Sequence, residues 1–129
     1  MDMEARPVIR LVQWSEEASF HLGKALNPCA LADAKREVNS GIAQLWDCND
    51  GEFGGYVVTR VDRTEQPRGV EWCWVACAGK GFHRFAPDFI AAAKRFNLPI
   101  RGHVNRPGLV RMYERFGFKY SETIMRMAV

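Results

Sequence analysis

Glu71 is the one carboxylate in a run that is otherwise apolar, Val70-Glu-Trp-Cys-Trp-Val-Ala-Cys77. A carboxylate in such a run is suited to taking up a proton, directly or through a water. Near the start of the run, it equally reaches solvent or an arginine. Gly79-Lys80-Gly81 and Arg84 follow. Two glycines let an anion approach the backbone N–H groups at a helix start, and Lys80 and Arg84 add positive charge. An ordinary tight turn uses the same Gly-x-Gly. Further on, Tyr113 offers a phenol, either a proton donor or a core aromatic whose hydroxyl finds one partner. Asn105 can cap a helix or touch a ligand. His83 and His103 are reserve bases, or simply a loop and a strand histidine. Acid–base chemistry beside a bound anion is what these residue types allow.

Regular elements must position them. Val70 to Cys77, apolar on both faces apart from Glu71, reads as a central strand. Ile100 to Val104 reads as a strand leading to Asn105. Pro107 suits the first turn of a helix. Leu109, Met112, Tyr113 and Phe116 then fall at i, i+3, i+4, i+7 on one face, and Gly117 can stop the helix in the left-handed conformation. Upstream, Pro7 to Gln13 is a strand. A helix follows the cap residue Ser15, with Glu16 and Glu17 in its first turn, and Asn27-Pro28 stops it. Leu31 to Asn39 is a second helix. Strands at Ile42–Asp47 and Phe53–Val61 flank a turn at Asp50-Gly51, and Gly54-Gly55 marks an expected bulge. A helix ending at Phe96 sets Phe89, Ile90, Ala93 and Phe96 on one side and Lys94 and Arg95 on the other. Pro87 is best placed at its first position, which leaves residues 82–86 irregular; a start near His83 would put Pro87 deep enough to kink the helix.

The stretch Asn105-Arg-Pro-Gly-Leu-Val-Arg-Met-Tyr-Glu-Arg-Phe-Gly-Phe118 resembles the C-terminal motif of the GNAT acyltransferase superfamily. The order of elements extends that resemblance over most of the chain. It implies an α/β fold, a mixed sheet covered by helices on both faces, in the order β-α-α-β-β-β-α-β-α-β. With residues 118–129 left for the family's closing hairpin, the end is expected as one long strand or a shortened hairpin, its last strand missing or supplied by a partner chain. The resemblance further implies acetyl-coenzyme A as co-substrate, between the strands ending at Cys77 and Val104. Val75, Cys77, Gly79, Lys80, Gly81, Arg84 and Asn105 would bind it. Glu71 or a water would take a proton from an amine, and Tyr113 would protonate the leaving thiolate. Ala76 stands where the family carries Gln or Arg.

Length and composition bound the rest. A chain of 129 residues is expected to form a single domain, 1–129, with a sizeable core. No apolar run can span a bilayer, and the polar start, Met-Asp-Met-Glu-Ala-Arg, has no signal-peptide character. A cytoplasmic protein without a membrane partner is expected. Cys29, Cys48, Cys73 and Cys77 show no zinc spacing and read as reduced, packed thiols; Cys73 and Cys77 would share one strand face. No metal site is expected. Residues 1–64 hold 7 Lys and Arg against 10 Asp and Glu, whereas residues 65–129 hold 11 against 5. The basic half suits a polyanion, either a phosphorylated cofactor or a nucleic acid, or is a solvated surface. Three readings stand: an N-acyltransferase acting on a small-molecule or protein amine; a binding or structural protein similar to the small GNAT-like proteins of tailed bacteriophages; and a nucleic-acid-modifying enzyme of this fold. A homodimer is open to all three.

Overall fold

The computed structural model describes residues 8–63, 69–79, 81–103, 111, 113–121 and 124–127. They form one seven-stranded sheet in the order β1-β2-β3-β4-β5-β7-β6. The strands are β1 (Val8–Val12), β2 (Ala43–Asn49), β3 (Gly54–Arg63), β4 (Val70–Gly79), β5 (Ile100–His103), β6 (Lys119–Ser121) and β7 (Ile124–Met127). All neighbours run antiparallel except β4 and β5, which are parallel. A parallel pair needs a long crossover, and α3 (Phe82–Phe96) supplies it. The chain end is a shortened hairpin, and the expectation of a missing or borrowed last strand is corrected. β7 runs back beside β5 and carries β6 on its outer side.

Helices cover both faces. On one side α1 (Glu16–Leu22) and α2 (Pro28–Asn39) bury Ala18 and Leu22 against Leu45, Val58 and Ala76. On the other, α3 sets Phe85, Phe89 and Ala93 over Trp72 and Trp74, where Tyr113 and Phe118 join them. Ser15 caps α1, its hydroxyl accepting from the Ala18 N–H at 3.1 Å.

Both prolines act differently from expectation. Pro28 does not stop α1, which ends at Leu22 with Gly23 as its cap. It opens α2 at a position where a missing N–H is harmless, with the Asn27 side chain accepting from the Ala30 N–H at 2.8 Å. Pro87 lies inside α3, which already begins at Phe82. Its ring deprives the His83 carbonyl of a helical partner, but His83 and Pro87 are both exposed, so water can serve that carbonyl. The buried Phe85 and Ala86 hold the turn before the proline. Phe96, expected on the same side as Phe89 and Ala93, is 70% exposed, because it is the last residue of the helix.

The expected bulge at Gly54-Gly55 falls elsewhere. Val58 pairs with Ala76 and Thr59 with Trp74, so Val75 is an extra residue in β4. Val75 and Ala76 therefore both pack towards α1 and α2, and Cys77 returns to the α3 side. Cys73, alternating with Trp72 and Trp74, faces α1 and α2. The two cysteines thus lie on opposite faces, not on one.

Candidate functional site

β4 and β5 share three rungs among the described residues: Trp72 with Ile100, Cys73 with Arg101, and Trp74 with Gly102. β4 then runs on to Gly79. Val75, the extra residue, is the first one past the last rung, and a bulge bends its strand. The described ladder thus ends there, and Val75 and Cys77 stand on the β4 side of a candidate wedge beyond it. Tyr113 stands at its apex, on the α3 face. It is 2% exposed, packs its ring 4.9 Å from that of Phe118 and 6.0 Å from that of Trp74, and lies over Gly102. A β-carbon on Gly102 would come within 3.0 Å of the Tyr113 ring and 3.2 Å of its hydroxyl oxygen. Burial, with smaller contributions from Cys77 and Cys73, pushes the phenol pKa far up, so Tyr113 keeps its proton at neutral pH.

The helix turn around Tyr113 follows the expected pattern. Phe118 N–H donates to the Tyr113 carbonyl, and Gly117 holds a φ of 92°. Asn105 and Lys80 lie outside the described residues. His103 ends β5 opposite Ile124, and His83 is exposed at the start of α3, its ring 6.4 Å from that of Phe53.

The loop between β4 and α3 is built by close packing. Gly79 has a φ of 113°, and a side chain there would strike the Gly54 carbonyl of β3. Gly81 has a φ of 81°, and a β-carbon would come within 2.6 Å of the Phe53 ring. These glycines therefore serve the hairpin–helix junction whatever else they do. Among the described residues no side chain caps α3; the Arg84 N–H donates to the Gly81 carbonyl, which leaves those of Phe82 and His83 to an anion. Arg84 is already engaged. Its Nε meets Asp50 at 2.5 Å, its Nη1 meets Glu52 at 3.4 Å, and its guanidinium covers the Phe53 ring at 4.8 Å.

Glu71 is buried, 2% exposed, and by strand alternation faces away from Tyr113, towards α1 and α2. It is one member of a row of charges crossing three strands. Arg101 of β5 meets Glu71 at 3.6 Å and also pairs with Asp62 of β3. Asp62 meets Arg60 at 2.5 Å, and Arg60 reaches Glu37 of α2 at 2.7 Å. The Arg101 guanidinium also donates to the Cys73 sulfur. The sequence reading missed this row and Gly102. A glycine inside a strand is itself a signal of close backbone approach. The row had no such signal, because its members come from four separate elements.

Two carboxylates tie stability to pH. Burial pushes the Asp62 pKa up, but the hydrogen bond and charge of Arg60, then those of Arg101, outweigh it and hold the carboxyl below its ordinary value. The N–H groups of Phe53 and Glu52 do the same for Asp50, above the opposing effect of burial. A depressed folded pKa contributes stability that is present above the unfolded value, about 4, and is lost as pH falls through the folded one. The Tm is therefore expected to be level near neutrality and to fall below about pH 4. Asp50→Asn and Asp62→Asn should each flatten that fall. A melting temperature unchanged down to pH 2.5 in scanning calorimetry would contradict this.

The thiols offer little to the chemistry. All four cysteines are free, and burial pushes the pKa of Cys48 and of Cys77 up to about 12. Among the described residues no group of three His, Cys, Asp or Glu could hold a metal ion, and no helix is long and apolar enough to cross a membrane.

No protein-family model and no curated protein matches this sequence. The fold does have a counterpart among solved structures. A crystal structure from Desulfovibrio desulfuricans, described as a candidate acetyltransferase of the GNAT family, superposes with a TM-score of 0.61 at 11% identity, over 95% of this chain and 99% of that one. This chain has the GNAT fold.

Proposed function

We propose that the chain is an acyl-coenzyme A-dependent N-acyltransferase. One observation carries this reading: a protonated, buried tyrosine at the apex of a wedge between two parallel strands, beside a helix whose first N–H groups no described side chain caps. Those N–H groups, with Gly81, Lys80 and Asn105, would hold the phosphates and pantetheine of the co-substrate. When bound, the thioester supplies an acyl group activated for attack by an amine. Tyr113 then gives its proton to sulfur, and Gly102 leaves room for the phenol to reach it. Glu71 lies on the other face, four residues before Val75, or about 13 Å along the strand. At that range it takes the amine's proton only through water.

Coenzyme A is expected to raise the Tm of the purified protein, and acetyl-coenzyme A to be consumed with some member of a panel of amines. Glu71→Gln should keep coenzyme A affinity and lower turnover by roughly 10²-fold. Unchanged turnover would leave Glu71 with the sole task of holding Arg101. If millimolar coenzyme A gives neither a Tm shift nor a calorimetric signal, the enzyme reading falls, and a GNAT-like binding or structural protein takes its place. The exposed Lys94, Arg95, Arg111 and Arg115, without ion pairs among the described residues, favour a nucleic acid as the alternative partner. That reading requires DNA affinity that falls steeply with salt.

A further inference from the structure

A second recess lies at the far end of α3 from Gly81. It is a cleft of about 350 Å³ between the second half of α3 and the sheet face of β1, β2 and β4. Its described walls are apolar, with Trp46, Trp72, Phe89, Ala92 and Phe96 among them, and Asp88 is the single charged residue. The cleft is distinct from the wedge. Trp72 precedes Val75 by three residues, about 10 Å along the strand.

The chemistry of the walls selects a ligand. Trp46 spends its N–H inside the protein, donating to the Thr59 hydroxyl at 2.8 Å. Its N–H is therefore not available to the cleft, and what remains is aromatic surface. The rings of Trp46 and Trp72 stand 6.1 Å and 5.7 Å from that of Phe89, so the three form a continuous aromatic surface. Aromatic faces carry negative charge density and attract cations. The Arg95 guanidinium, 5.8 Å from the Phe96 ring, already makes this kind of contact at the rim. Asp88 forms no ion pair among the described residues, and its carboxylate can accept hydrogen bonds but not donate them. No lysine or arginine is among the described lining residues. An anion would find no donor here, and a neutral apolar ligand would leave the carboxylate unused.

We propose that this cleft binds a small organic monocation, an ammonium group on an aromatic body. The ring enters between Phe89, Trp46 and Trp72, and the ammonium stays at the mouth against Asp88. The site is a separate one from the wedge: Trp74 stands between its wall residue Phe89 and Tyr113.

The test uses 4-phenylbutylamine and its neutral counterpart 4-phenylbutanol, titrated into the full chain. Binding is followed by calorimetry and by the fluorescence of the tryptophans that line the cleft. The amine is expected to bind roughly tenfold more tightly than the alcohol, the scale of one charge-assisted contact. Asp88→Asn should abolish that difference while leaving alcohol binding unchanged. Asp88 is exposed and has no ion pair among the described residues, so this variant should fold. Ala92→Trp should fill the cleft and remove both ligands, with circular dichroism confirming the fold. Equal affinity for amine and alcohol, a preference that survives Asp88→Asn, or no binding at millimolar concentration would each overturn the proposal. So would sedimentation showing a dimer that Ala92→Trp dissociates, because the cleft would then belong to a second copy of the chain.

Discussion

Replacing Tyr113 by phenylalanine should leave a folded protein that binds coenzyme A as before and has lost most of its turnover. The ring is held by Trp74, Phe118 and the backbone at Gly102, and phenylalanine keeps all three contacts. The substitution removes one hydroxyl. If that hydroxyl only satisfies a hydrogen bond, its loss costs about 0.5–1.5 kcal/mol of stability and nothing else. If it is the proton donor, kcat falls by roughly 10²–10⁴ with KM little changed, because a positioned acid acts in the transition state. Thermal stability, coenzyme A affinity and acyl transfer, measured side by side on one variant, separate these outcomes. Wild-type turnover in Tyr113→Phe would remove the residue from the mechanism.

Arg101→Ala should be the most destabilising polar substitution among the described residues. Arg101 is the link between Asp62 and the buried Glu71, and it also donates to Cys73. Its removal takes a positive charge from beside the buried Glu71 carboxylate and from Asp62, and breaking a buried pair costs up to about 3–5 kcal/mol. Replacing Arg101 and Glu71 together by apolar residues should recover much of the loss, because no buried carboxylate deprived of its arginine then remains in the strand. The measurement is a pair of denaturation curves with a common m-value. If the double variant is as unstable as Arg101→Ala, the buried Glu71 charge is not the cause. Because Arg101 adjoins Gly102, this variant should also disturb the seat of Tyr113, and turnover should fall more than the stability loss alone explains.

Much of this architecture can be read from local pattern. The order of elements up to the final hairpin, the turn at Asp50-Gly51 and the stop at Gly117 all follow from periodicity and turn chemistry within a few residues. Tyr113 at i+4 from Leu109 told its own burial. The failures share one cause, which is dependence on distant partners. Val75 looks like any other residue of an apolar strand, and only the register with Val58 and Thr59 shows that it is supernumerary. Pro87 is tolerated because its face of α3 meets water, which the sequence near it does not announce. Arg101 and Asp62 are 39 positions apart, and no spacing rule joins them. Gly81 was legible as a loop glycine, whereas Gly79, read the same way, ends β4 and pairs with Gly55. Their neighbours, the Gly54 carbonyl and the Phe53 ring, were not legible.

The extra residue at Val75 also bears on descent. Without it, Trp74, Ala76, Cys77 and Ala78 would still alternate on the faces they now occupy, since the bulge merely places two successive residues on one side. Loss or gain of one amino acid at this point is therefore silent for the core, although anywhere else in the strand it would turn side chains inside out. Lineages sharing this sheet are free to differ there by a single deletion. Aligned without a gap, two such chains would set Cys77 against a residue of the opposite face, and so would every later position. The most apolar segment of the protein, where kinship should be easiest to see, is thus where a column-by-column comparison most readily slips.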